Sequence, residues 1–144
     1  MKIKKILCPV DYSDFSEPLI KYAYSLAIAE GAEVCFLHTF KSYEASGSNF
    51  SAKQVQEEEL RQIKQIVDYV PKAEGVKATF HVAFAMPADG IVEFADKNQI
   101  DMIVIGTHGR TGISRLVMGS VAEAVIRHAN CPVMTVKIPD RVPA

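Results

Sequence analysis

The chain has 144 residues, 49% hydrophobic and 23% charged, which suits one domain, residues 1–144, around one core. Lysine plus arginine (16) nearly balance aspartate plus glutamate (17), for a formal charge of −1, which points away from nucleic acid or an anionic membrane as the main partner. No apolar run approaches the roughly 20 residues needed to cross a bilayer, and the apolar stretch Ile6 to Val10 is too short for a signal peptide and ends at Asp11, so a cytoplasmic location is expected.

In chain order, residues 3–10 (IKKILCPV) form an apolar run suited to a central strand. In the following DYSDFSEP, Asp14 with Glu17 fits a capping box and Pro18 suits a first helical turn. Leu19, Ala23, Leu26 and Ala27 recur at helical spacing until Gly31, a helix stop. Residues 33–40 (EVCFLHTF) read as a second strand, and 41–50 as a polar loop.

A helix is expected from Ser51 to about Tyr69. Leu60, Ile63, Val67 and Val70 line its inner face, Glu57, Glu58, Glu59, Arg61 and Lys64 face water, and Pro71 stops it. Residues 76–84 alternate as a strand with one wetter face, nearer a sheet edge. Met86-Pro87 opens a short helix carrying Ile91, Phe94 and Ala95. Residues 101–105 form a fourth strand. A fourth helix buries Val121, Ala122, Val125, Ile126 and Ala129, and 132–138 form a fifth strand. Cys8, Cys35 and Cys131 have no metal-like spacing and are expected to be buried, reduced thiols.

The alternation β-α-β-α-β-α-β-α-β calls for an α/β fold: a five-stranded parallel sheet between two helical layers, a three-layer sandwich. With right-handed crossovers the expected strand order is 3-2-1-4-5. The winding reverses between strands one and four, and ligands bind beyond the carboxyl ends of strands at such a reversal. Strand one ends in Val10-Asp11 and strand four in Ile105-Gly106.

Strand four leads into a loop bracketed by Gly106, Gly109 and Gly119, with Ser120 opening the next helix. Glycine lets backbone approach a ligand closely, and a helix N-terminus offers free N–H groups and a favourable dipole to an anion. Such a loop suits nucleotide phosphates; the plainer reading is a long strand-to-helix connection. Ser120 with Glu123 forms S-V-A-E, a capping box, so Ser120 is expected at the helix N-cap. Its hydroxyl can accept from the helix and still donate to a ligand. The amides of Val121 and Ala122 would complete the anion site.

The pattern Gly-x2-Gly-x9-Gly-Ser, with the opening ILCPVDYSDFS, the GTHGRTG segment and the close GSVAEAVIRHANCPVMTVK, resembles the universal stress protein family along the whole chain. The resemblance implies an adenine nucleotide alpha hydrolase-like fold, usually a homodimer, with ATP bound in the subgroup that keeps the glycines. Gly106 would pass close to the ribose and α-phosphate, Gly109 and Gly119 would turn amides to the phosphates, and Ser120 would touch phosphate. Asp11 would contact the ribose, or approach a phosphate-bound Mg²⁺, unless it only caps the turn before helix one. Thr39 would present its backbone to adenine, and Ile105 with Pro9 or Val10 would form an apolar wall. Arg110 and Arg115 are the loop's cations, with Arg110 the better candidate for a phosphate. His108 is similar to the histidines of nucleotidyl transferases, but their His-x-x-His pair follows strand one and is absent there.

There is no G-x-x-x-x-G-K-[ST], G-x-G-x-x-G or G-x-S-x-G motif. The resemblance thus implies a nucleotide-dependent regulator of the stress response, and the missing motifs imply at most slow hydrolysis. The alternatives are a nucleotide-free dimer serving as an interaction module, and a weak ATPase or nucleotidyl-transfer enzyme. Strand five is an apolar edge expected to pair with the same strand of a second subunit.

Overall fold

A computed structural model describes residues 2–11, 16–41, 51–107 and 118–137. The element order is β1 (Lys5–Pro9), α1 (Ser16–Glu30), β2 (Glu33–Phe40), α2 (Ala52–Asp68), β3 (Ala78–Phe84), α3 (Pro87–Lys97), β4 (Met102–Gly106), α4 (Ser120–His128) and β5 (Val133–Val136). The five strands form one parallel sheet in the order β3-β2-β1-β4-β5, as the alternation predicts.

Side chains alternate across the three middle strands, so each strand feeds both faces. Ile6, Cys8, Val34, Phe36 and Val104 pack with Ile20, Ala23 and Tyr24 of α1 and Ile63 and Val67 of α2. Leu7, Cys35, Leu37, Ile103 and Ile105 pack with Ile91 and Ala95 of α3 and Ala122 and Val125 of α4. Cys8 is fully buried, and burial pushes its thiol well up, so it stays protonated and inert. Cys35 is also buried, whereas Cys131 is only partly so, against the expectation of three buried thiols.

The bounds of β2 are those predicted, and the other strands shift by one or two residues at one end or both, because pairing rather than apolarity ends a strand. Among the described residues β5 spans Val133–Val136, and β1 stops at Pro9. α2 starts with the capping box that the Ser51 N-cap makes with Gln54. Val55, Ile63, Val67 and Val70 are buried, but Leu60 is exposed, since α2 lies over the sheet's β3 edge. Ile126 of α4 is likewise exposed, as is Phe84 at the end of edge strand β3. Glu59 does not face water: its side chain is only 20% exposed and meets His38. The expected Asp14 cap lies outside the described residues.

Candidate functional site

The two middle strands part at their carboxyl ends. β1 and β4 pair only at Ile6↔Met102 and Leu7↔Ile103. Beyond that, β1 stays with β2 as far as Pro9↔Leu37, and β4 stays with β5 as far as Gly106↔Val136. Proline chemistry explains the parting. Val10 N–H donates to Leu37 O at 2.9 Å, so Val10 turns its polar groups toward β2. Its neighbour Pro9 therefore faces β4, and proline has no N–H to give there. A proline inside a central strand thus marks where the sheet opens.

α4 starts at the other side of this opening. Gly119 N–H donates to Thr107 O at 2.6 Å, clasping the helix start against the end of β4. Gly119 is the N-cap, with φ −60° and ψ 148°, and no side chain caps the helix among the described residues. The predicted capping box is therefore corrected: Ser120 is the first helical residue, not the cap. Gly119 leaves the cap without a side chain rather than supplying a left-handed backbone. The first intrahelical donor is Glu123 N–H, to Gly119 O at 3.0 Å. The amides of Ser120, Val121 and Ala122 precede it and have no acceptor within the helix.

The remaining expected residues distribute as follows. Val10 and Ile105 are buried, and Pro9 and Gly106 are partly so, on the two walls of the opening. Asp11 is partly exposed at the end of β1. Its carbonyl accepts from Ser16 Oγ at 2.8 Å, and its Oδ1 lies 3.4 Å from the same hydroxyl. Thr39, near the end of β2, faces α3 and is partly buried. Ser120 is exposed, Val121 is partly buried, and the Ala122 side chain is core, leaving only its amide for a ligand. Gly109, Arg110, Arg115 and His108 lie outside the described residues.

Three residues hold roles here that the sequence alone did not assign, His38 having read only as a strand residue. His38 donates from Nδ1 to Val10 O at 3.0 Å, and Ser16 holds Asp11. Gly90 lets α3 come close to Thr39: a Cβ there would lie 2.9 Å from Thr39 Cγ2. A lone histidine within the apolar run EVCFLHTF was the available signal, because a buried polar ring needs partners.

Among the described residues, no cluster of three His, Cys, Asp or Glu side chains suits a metal ion, and no helix is long and apolar enough to cross a membrane. A separate groove of about 490 Å³ between α3 and α4 is lined by Asp89, Glu93, Asp96, Lys97 and His128 among others. Its three carboxylates oppose a phosphate, so it does not compete with the opening as an anion site.

A sequence model of the universal stress protein family matches residues 2–137. The chain is 38% identical over 143 residues to universal stress protein MJ0531 of Methanocaldococcus jannaschii, covering 96% of this chain and 84% of that protein. The solved structure of MJ0577 is 29% identical, covers 98% of this chain and 100% of its own, and superposes with a TM-score of 0.70. A universal stress protein from Archaeoglobus fulgidus, solved in complex with dAMP, is 29% identical with a TM-score of 0.64, covering 94% of this chain and 98% of its own.

Proposed function

The chain belongs to the universal stress protein family, and from that membership and the geometry of the opening we propose that it binds an adenine nucleotide, ATP, as a cytoplasmic regulator of the stress response. One observation carries the reading: β1 and β4 part where Pro9 ends their pairing, and the Gly119–Thr107 bond ties the start of α4, with the amides of Ser120, Val121 and Ala122, to the carboxyl end of β4. The relative solved with dAMP supports an adenine nucleotide as the ligand class.

The donor set fits a phosphate group. Amide bonds to charged oxygens contribute about 1.5–3 kcal/mol each, and a micromolar complex needs about −8 kcal/mol in all. Three amides at the start of α4, with the helix dipole behind them, supply much of that before base burial. Ser120, exposed and free of the capping role, adds a hydroxyl donor to the same phosphates. Gly109 and Arg110 would complete the phosphate side from the loop. Asp11, held by Ser16, would meet the ribose or a phosphate-bound Mg²⁺. Thr39, Ile105, Gly106, Pro9 and Val10 would enclose base and sugar. The role is binding rather than efficient catalysis, since no dedicated hydrolytic motif stands in the sequence.

The active unit is a homodimer through β5. The carbonyls of Pro132 and Val136 accept from the amides of Ile103 and Thr107, so Val133 and Thr135 turn their N–H and C=O groups outward along the sheet edge. Among the described residues no strand pairs with that edge, and an apolar edge of that kind invites a second strand. Calorimetric titration with ATP tests the nucleotide reading. Wild type should bind with micromolar affinity, and Gly106→Val should abolish binding while circular dichroism stays near native. Equal affinity in the two proteins would reduce the loop to a connector.

A further inference from the structure

His38 sits near the end of β2, with its side chain only 7% exposed. The residues before it, Val34 to Leu37, are apolar and buried, and a leucine would fill the same volume. Among the described residues the ring adds two directed contacts. Nδ1 lies 3.0 Å from Val10 O, and Nε2 lies 3.3 Å from Oε2 of Glu59 on α2. A carbonyl oxygen only accepts, so Nδ1 carries a proton. The second contact ties the other side of the ring to α2.

We propose that His38, anchored by Glu59, is a positioning residue for the nucleotide crevice: it fixes the Val10–Asp11 peptide unit where β1 leaves β4. Three bonds converge on this corner. Val10 N–H donates to Leu37 O at 2.9 Å, His38 Nδ1–H donates to Val10 O, and Ser16 Oγ–H donates to Asp11 O at 2.8 Å. The corner has lost its pairing with β4, so these bonds replace the ladder that would otherwise fix it. A preorganised wall spares the ligand the cost of ordering it. The inference rests on the nucleotide reading for its purpose, but the bond itself is testable without ligand.

Two substitutions separate the ring's contacts. Asparagine places an amide N–H near the position of Nδ1 and keeps the bond to Val10. Glutamine places its N–H nearer Nε2, keeping Glu59 and losing Val10. The Kd for ATP should rise about tenfold in His38→Gln, the equivalent of one hydrogen bond, and stay within about threefold in His38→Asn. In the ligand-free protein, the ¹⁵N–¹H cross-peak of Asp11, whose amide shares the Val10 carbonyl's peptide unit, should move in His38→Gln and stay near wild type in His38→Asn. Glu59→Ala, which frees the ring from α2, should move that cross-peak in the same direction by less, and serves if His38→Gln does not fold. Equal ATP affinity in the two His38 variants, or an Asp11 cross-peak unmoved in His38→Gln and Glu59→Ala alike, would overturn the positioning role. If wild type binds no ATP, the nucleotide reading fails, and the Asp11 cross-peak alone decides the inference.

Discussion

Gly90 and Thr39 should be energetically coupled, and the size of that coupling follows from the packing of α3 on β2. A Cβ at Gly90 would lie 2.9 Å from Thr39 Cγ2 and 3.1 Å from Ala85 Cβ, against about 3.5–4.0 Å for an ordinary carbon contact. Gly90→Ala gains about 1 kcal/mol of helix propensity. It costs about 1–3 kcal/mol in overpacking, because Thr39 is β-branched and is held in register with Ala83 of β3. The net is a loss of about 1 kcal/mol, seen as a melting temperature lower by roughly 2–4 °C. Thr39→Ser removes the clashing methyl and alone costs about 1 kcal/mol, as for other one-methyl deletions. In the double variant the new methyl occupies the space of the old. Its stability should exceed the sum of the single effects by about 1–2 kcal/mol. Urea unfolding followed by circular dichroism measures all four proteins. Additivity within about 0.5 kcal/mol would refute the close approach of α3 to Thr39.

Asp101 Oδ2 accepts from the amides of both Lys4 and Lys5 at 2.9 Å, so Asp101→Ala should cost about 2 kcal/mol in urea unfolding and Asp101→Asn under about 1 kcal/mol; equal losses would deny the carboxylate its tie to the start of β1. Burial, and then the nearby Lys5 ammonium, hold the His81 imidazolium pKa below its ordinary value. The unfolded chain therefore takes up that proton first. Wild type should lose stability relative to His81→Gln as pH falls through about 6.5, levelling below the folded-state value, and a difference that grows in favour of wild type on acidification would reverse the sign. Thr135→Pro removes an outward N–H from β5 without touching the pairing to β4, so sedimentation should show monomer where wild type is dimeric; an unchanged dimer would place the interface elsewhere.

The sheet order was legible because it follows from local periodicity plus handed crossovers. The apolar run of β1, the unbroken EVCFLHTF of β2 and the helix stops at Gly31 and Pro71 are each local signals. The parts that were not legible depend on pairs distant in sequence. Glu59 stands in a run of three glutamates that reads as a wet helix face, and only the packing of α2 on β2 brings it to His38, 21 positions earlier. Gly90 reads as a weak point in a short helix until Thr39 is seen against it. Ser120 satisfies the capping-box pattern, yet Gly119 takes the cap because its bond to Thr107 starts the helix one residue sooner. Pro9 was read as an apolar wall, while its missing N–H also helps to open the sheet.

Titration of ¹⁵N-labelled protein with ATP, following backbone amides, tests the central claim most directly. The amides of Ser120, Val121 and Ala122 should shift most, with Asp11 and Gly106 following at the same ligand concentration. Shifts confined to α3 and the outer face of α4, or no shift at millimolar ATP, would contradict the account.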